Sequence, residues 1–452
     1  MTGFPLIIAF VVAVVLMIVA ISKFKVHPFL SIMGVSLLLA LVAGIPMVEI
    51  ADVIGAGFSG TFSSIGIVII LGAFIGSVLE VTGAALKLAD MVIKLVGKKN
   101  PELAIELMGW VVSIPVFCDS GFVILDPIRR ALVRRTGTSS VAMTVALSTG
   151  LYISHVFIPP TPGPIAAANT LGIGDSLLLV MGLGLLCSLF PLIAGLIYAK
   201  FIGKRVKSSD EIVTSDEVVK TYEELVAEYG KLPSGLNSLA PLIVPVIMMA
   251  LGTIGSMAGF TGFLLNLFTF LGKPVIALAV GTILAIVQLS TAKKMEQFYD
   301  LTNDTLKTVG PILFVTAAGG VLGKVISSTT MVTYITENAS FLMEMGIFFP
   351  FLLAAILKTA QGSSTEAITT TAGIMAPLMA TMGLDTPILA SLTVMAIGAG
   401  AMTVSHANDS YFWVVTNFGK MTPQQGYKTQ TLLTLVMGLA SIIGIFVLSL
   451  FF

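Results

Sequence analysis

The chain has 452 residues, of which 56% are hydrophobic and only 11% charged, and a mean hydropathy of +1.02, which excludes a soluble globular domain. Its 24 basic and 24 acidic residues cancel, so the electrostatic footprint of a nucleic-acid binder is absent. Cys118 and Cys187 fit neither a disulfide framework nor a zinc motif, and no metal or cofactor is expected.

Apolar runs of about 17 to 25 residues, the length that crosses a hydrocarbon core of about 30 Å, recur along the chain. They lie near 3–22, 28–45, 61–79, 139–158, 176–199, 238–257, 274–290, 309–326, 387–405 and 429–451. The expected fold is an all-α polytopic membrane protein. The first run has no basic leader and no small-residue cleavage site, so it reads as a retained helix and not a signal peptide. Residues 102–128 and 346–379 are also apolar, but each folds back around a small or polar tip. Arms of about 14 to 17 residues reach only about 20 to 25 Å, so both read as re-entrant hairpins. A pair of short full spans would give the same sidedness.

Lys23, Lys25, Lys87, Arg129, Arg130, Lys200, Lys204, Lys293, Lys294, Lys307, Lys420 and Lys428 fall on one side of this arrangement, and Glu49, Asp52, Asp175, Glu344 and Asp385 on the other, with Lys273 the clear exception among them. The basic side is the cytoplasmic one, which places the protein in the cytoplasmic membrane with both termini outside. The stretch 205–237 carries seven acids and reads as a cytoplasmic linker between membrane units 1–204 and 238–452. These units look related. Gly72 and Gly76 recur as Gly319 and Gly323, Pro28 as Pro274, and Ser154-His155 as Ser405-His406. Five crossings and one hairpin per unit would insert the second copy upside down, the inverted-repeat plan of many secondary transporters.

The chemistry concentrates at four places. In "IPVFCDSGFVILDP" the tip at Pro115–Gly121 holds Asp119 and Ser120. A carboxylate within a membrane costs about 2.5 to 3.5 kcal/mol on insertion scales and is by default functional; capping the second arm is the structural alternative. In "LKTAQGSSTEAITTTAG" the tip gathers Gly362, Ser363, Ser364 and Thr365 with Glu366 one step on. Free amides at such a helix start make an anion cradle. Two further segments, "SHVFIPPTPGP" and "SHANDSYFW", read as helices broken at their Ser-His pairs. Broken backbone persists in a bilayer only where protein, water or a ligand satisfies it. Pro159, Pro160, Pro162 and Pro164 should restart the first helix near Ile165, and Asn408, Asp409 and Ser410 should cap the second restart. A free imidazole titrates near neutral pH, so His155 and His406, placed at the two breaks, suit proton coupling. Lys324 and Lys358 sit in apolar segments, where each either neutralises a substrate carboxylate or snorkels to an interface.

These four motifs, with the spacing of Gly57, Gly60, Gly72, Gly76 and Gly83, resemble the gluconate permease family over nearly the whole chain. The resemblance implies a proton-coupled importer of gluconate or related hydroxy acids. Its wider ion-transporter group implies two hairpins, an elevator-like transport domain and a homodimer. Thr161, Glu366 and Tyr411 depart from the family pattern, where His, a small apolar residue and Gly are usual. Glu366 near an anion site calls for protonation, or pairing with Lys358 or a cation.

The expected function is proton symport of a small hydroxylated carboxylate. The substrate-binding residues are Ser120, Pro164, Asn169, Lys324, Gly362, Ser363, Ser364, Thr365, Asn408 and Ser410. Asp119, His155, Glu366, His406 or Asp409 takes the coupling proton. A Na⁺-coupled symporter of a carboxylate or hydroxy amino acid is the alternative on the same fold. An enzyme would need a nucleophile with its base or a metal cluster, and the sparse Cys and His supply neither pattern. A channel would carry flux without concentrating its solute.

Overall fold

The computed structural model describes residues 3–96, 100–212, 232–257, 261–330, 334, 344–406 and 409–452. Among the described residues every regular element is helical, as satisfaction of the backbone inside lipid demands. Among the described residues seven helices are long and apolar enough to cross a bilayer, so this is an all-α, multi-pass membrane protein.

Before the polar stretch 205–237 come α1 (Phe4–Ser22), α2 (Pro28–Ala43), α3 (Met47–Val81), α4 (Ala84–Val96), α5 (Pro101–Val112), α6 (Cys118–Thr136), α7 (Ser140–Phe157), α8 (Pro162–Thr170) and α9 (Leu177–Ile202). A single turn, α10 (Ser209–Ile212), opens the linker, whose residues 213–231 lie outside the described ones. Then come α11 (Gly235–Met257), α12 (Gly262–Gly272), α13 (Pro274–Thr291), α14 (Phe298–Ser327), α15 (Phe348–Gln361), α16 (Ser364–Met375), α17 (Pro387–Met402), α18 (Ser410–Phe418), α19 (Pro423–Gly426) and α20 (Leu432–Ser449).

Proline and glycine punctuate these elements. α2, α5, α13 and α17 begin on Pro28, Pro101, Pro274 and Pro387, where a missing N–H has no intrahelical partner to lose. α2 and α15 end at Gly44 and Gly362 with φ of 84° and 78°, the left-handed cap that glycine adopts without strain. Burial then sorts the helices. α7 is buried along its whole length and α17 nearly so, whereas α9 exposes Leu185, Leu189, Ile193 and Ile197, one turn apart. Such an apolar exposed stripe faces lipid. α3 and α14 cross at Gly57, where a Cβ would meet the Val321 backbone at 2.8 Å.

Three expectations need correction. α3 has 35 residues and α14 has 30, far beyond the apolar runs at 61–79 and 309–326; a helix continues past the hydrocarbon wherever its polar face finds water or protein. The helices α4 and α12 escaped notice because one is amphipathic and basic and the other, at 11 residues, is shorter than any span. Of the four arms expected for the two hairpins, three are short, at 12, 14 and 12 residues for α5, α15 and α16, but α6 has 19 residues and runs on to Thr136, beyond the expected limit of 128.

Candidate functional site

The second tip is built by local rules. Gly362 reverses the chain, and its N–H donates to Lys358 O at 2.9 Å. Ser363 is the N-cap of α16, accepting from Glu366 N at 3.3 Å. At the first tip, Ser113 Oγ donates to Val116 O at 2.9 Å, and α3 lies so close that a Cβ on Gly76 would collide with the Pro115 carbonyl.

The two broken helices differ from the sequence expectation. α7 runs through Ser154-His155 to Phe157 and breaks only at 158–161, and α8 starts at Pro162, not near Ile165. Pro162 is tolerated because the first turn of a helix has no use for its N–H. In the second unit α17 ends at Met402, so Ser405-His406 lies inside the break itself. Its freed groups find partners: Ser405 N donates to Thr434 Oγ1 at 2.9 Å, and Thr431 Oγ1 donates to Ser405 O at 2.6 Å. Thr431 closes a π-helical turn, Tyr427–Thr431, the kind of bulge that often marks functional positions.

The tips and the broken helices meet. Lys358 and Asp409, only 1% and 3% exposed, pair at 2.7 Å between Nζ and Oδ2, joining the second tip to the start of α18. Lys358 Nζ also donates to Gly362 O at 3.1 Å. The same Asp409 oxygen accepts from Ser405 Oγ at 2.5 Å, and Oδ1 accepts from Tyr411 N at 3.1 Å. Asp409 therefore caps α18, as expected. Ser410 Oγ donates to Asp119 Oδ1 at 3.3 Å, linking the first tip to the same helix start. His155 Nε2 and Thr365 Oγ1 share a hydrogen bond at 3.3 Å, linking the last turn of α7 to the first turn of α16. The His155 ring lies 5.9 Å from Phe117 and 6.5 Å from Tyr152, and its buried Nδ1 has no partner.

Other predicted positions lie elsewhere. Lys324, Asn169 and Thr170 line a separate cavity of about 430 Å³ with Gly323, Ser327 and Gly373. Gly373 is near the far end of α16, about 14 Å from Ser364 at 1.5 Å per residue. Asn169 Nδ2 donates to Ile165 O at 2.9 Å, within its own helix. The structure thus does not bring Asn169 or Lys324 to the tips. Pro164 is buried in the first turn of α8, and Ser120 is in the first turn of α6. Asn408 lies outside the described residues. His406 is half-buried, with no side-chain partner among the described residues, and so is Glu366: Lys358 pairs with Asp409 and not with Glu366.

The sequence left Lys358 open between neutralising a substrate carboxylate and snorkelling to an interface, and gave no direct notice of an aromatic wall. Tyr152 and Tyr411 rings stand 4.9 Å apart, Lys358 Nζ is 5.9 Å from the Tyr152 ring, and Tyr411 Oη donates to Ser148 O at 3.3 Å. Tyr152 is one turn before His155, so helical spacing alone carried that signal. The departure at Thr161 is local, its hydroxyl donating to Ile158 O at 2.7 Å. Asp126 holds Arg129 and Arg130, each at 2.7 Å, and Arg129 reaches Asp210 of the linker at 3.1 Å. Among the described residues no three His, Cys, Asp or Glu side chains form a metal-binding group.

A multi-pass helical membrane protein whose helices break around a buried charged cluster belongs to the class of secondary transporters. The chain matches the family model described as GntP family permease over residues 5–451, and it belongs to that family, so its function is transport and not catalysis. It is 34% identical over 427 residues to an uncharacterised permease of Haemophilus influenzae, covering 92% of this chain and 86% of that one. It is 30% identical to the low-affinity gluconate transporter of Escherichia coli K12, covering 98% of each. Among solved structures, MtrF of Neisseria gonorrhoeae superposes with a TM-score of 0.65 at 14% identity, covering 95% of this chain and 96% of that one, a likeness of fold alone.

Proposed function

We propose that this transporter imports a small hydroxylated carboxylate, gluconate or a related sugar acid, by proton symport across the cytoplasmic membrane. The observation that carries the reading is the buried Lys358–Asp409 pair. A substrate carboxylate arriving at the Ser363–Thr365 tip meets an ammonium that is already neutralised. When a proton binds Asp409 Oδ2, the ion pair breaks and Lys358 Nζ is released to the substrate carboxylate. An uncompensated buried charge costs several kcal/mol, so anion and proton enter together. Asp119, His155, His406 and Glu366 are the other groups that can take part in proton uptake. Ser410 and the tip hydroxyls, with Asn408, read the substrate hydroxyls. The name of the Escherichia coli relative supports the substrate class.

The two units act as inverted repeats, 1–204 and 238–452 joined by the linker 205–237. Element order supports this: α2–α3, the α5–α6 pair, α7–α8 and α9 correspond to α13–α14, the α15–α16 pair, α17–α18 and α20. The α5–α6 and α15–α16 pairs are the re-entrant hairpins, and the face bearing Arg129, Lys200 and Lys420 is cytoplasmic. Glycines on α3 and α14 leave smooth backbone contacts to the tips and to α16, at Gly76 against Pro115 and Gly323 against Gly373; these are the surfaces an elevator-like motion would slide along.

Uptake of labelled sugar acids, hydroxy acids and amino acids into proteoliposomes tests the proposal. Accumulation driven by an imposed proton gradient is expected for a sugar acid, and its absence sinks the coupling claim. One observation favours a second reading: Glu366 at the tip has no side-chain partner among the described residues, and a spare carboxylate suits the ammonium of a hydroxy amino acid or a Na⁺ ion. Sodium-dependent uptake indifferent to pH would select that reading.

A further inference from the structure

Glu106 stands outside the cluster described above. It lies in the middle of α5, is 1% exposed, and neither carboxyl oxygen has a hydrogen-bond partner. One turn along the same face, the Trp110 indole N–H is also buried and unpartnered. The backbones of α5 and α7 are in close contact at this level. α7 crosses here so tightly that a Cβ on Gly150 would collide with Glu106 O and approach Trp110 N to 2.6 Å.

Among the described residues the elements packed on α5 offer no counter-ion in contact. On α4, Lys87 and Asp90 pair with each other at 3.4 Å. On α6, Asp126, Arg129 and Arg130 are bound in their own network and Asp119 accepts from Ser410. On α7 the titratable groups are Tyr152 and His155, the latter bonded to Thr365. α9 brings Tyr198, whose hydroxyl donates to Lys428 O at 2.6 Å, and Lys200, the cation whose field reaches Glu106. Lys200 is exposed in the last turn of α9, on the basic face.

An ionised carboxylate buried without donors is untenable at a cost of several kcal/mol, while the neutral acid forgoes only ordinary hydrogen bonds. Glu106 therefore holds a proton in this state. Its position gives that proton a direction. From Glu106, α5 runs about 10 Å onward to the first tip and about 7 Å back to Pro101 on the basic side. Toward the tip, Trp110 O accepts from Ser154 Oγ at 2.5 Å, and His155 is the next residue of α7.

We infer that Glu106 is a proton-binding site of the transport cycle, loaded in this state and discharged to the cytoplasm beside Lys200. The ligand is a proton: Glu106 gives it to cytoplasmic water, its carboxylate is then held by the Lys200 field, and it is reloaded from the His155 side. This rests on the proton-coupled reading. The test uses the full-length protein in proteoliposomes, with Glu106→Gln as an isosteric mimic of the neutral acid. The expected result is loss of gradient-driven accumulation with substrate exchange retained near the wild-type rate. E106Q that accumulates substrate like the wild type overturns the inference, and so does a monodisperse E106Q that has lost exchange as well. An infrared spectrum of the wild type, which needs no substrate, separates this from failure of the transport reading. A carboxylic C=O band shifted in heavy water and absent from E106Q is expected, and its absence from the wild type overturns the assignment even where E106Q does not fold. A wild type that shows the band but no proton-driven uptake keeps the protonated acid and overturns its role in transport.

Discussion

The two broken helices solve one problem in opposite ways. At the first break the chain removes donors: Pro159, Pro160, Pro162 and Pro164 have no N–H to satisfy, and Thr161 bonds within the turn. At the second, the donors and acceptors remain and are answered from elsewhere, by Thr431, Thr434, Asp409 and, through Asp409, Lys358. A break that lacks polar groups is indifferent to protonation. A break held by a carboxylate is not, because each bond that Asp409 makes as an anion weakens when it takes a proton. The asymmetry makes the second break, and not the first, the one whose bonds a proton can loosen.

The most severe way to break the contrast is Lys358→Ala. It strands the Asp409 charge in a buried site, so a loss of about 3 to 5 kcal/mol is expected, read as a fall in melting temperature of the purified protein, with transport abolished. The double variant Lys358→Met, Asp409→Leu removes both charges and should recover part of that stability, the cap on α18 and the Ser405 bond staying lost, without recovering transport. An undisturbed melting temperature in the single variant would mean that the pair does not hold the second break.

A smaller effect compares the breaks directly. Thr434→Val leaves the buried Ser405 N–H without an acceptor, for about 1 to 3 kcal/mol. Thr161→Val removes a donor whose acceptor, the Ile158 carbonyl, also accepts from the Thr161 backbone N–H at 3.4 Å, and should cost about 0.5 to 1.5 kcal/mol. Equal losses, measured by thermal unfolding, would erase the distinction between a bonded and a donor-free break.

Much of this was legible in the residues. Proline at helix starts, glycine at Gly362, and Asp409 as an N-cap act over a few positions of chain, and their signals survived folding unchanged. What escaped depends on packing. Lys324 and Lys358 look alike in sequence, each a lone cation in an apolar segment, and only the fold puts Asp409 beside one and an open cavity beside the other. Glu106, one turn after Glu102 on α5, carried no signal in the sequence, and only the packing of α7 over it shows that it is buried. The polar first turns of α3, with Glu49 and Asp52, hid a long helix because hydropathy reports the solvent and not the backbone conformation.

The mildest prediction concerns that open cavity. Lys324 is exposed there and has no ion-pair partner among the described residues, and the C-terminal ends of α8, α14 and α16 surround it. If it meets the substrate before the tips do, its contribution is that of a solvated charge, about 1 kcal/mol at about 4 Å in water. Lys324→Gln should then raise KM about fivefold and leave kcat and the melting temperature alone. Because exposed charges are screened by salt, raising ionic strength should increase KM in the wild type and not in the variant. An unchanged KM in Lys324→Gln would make the side chain a snorkelling one and confine substrate recognition to the second unit's tip and break.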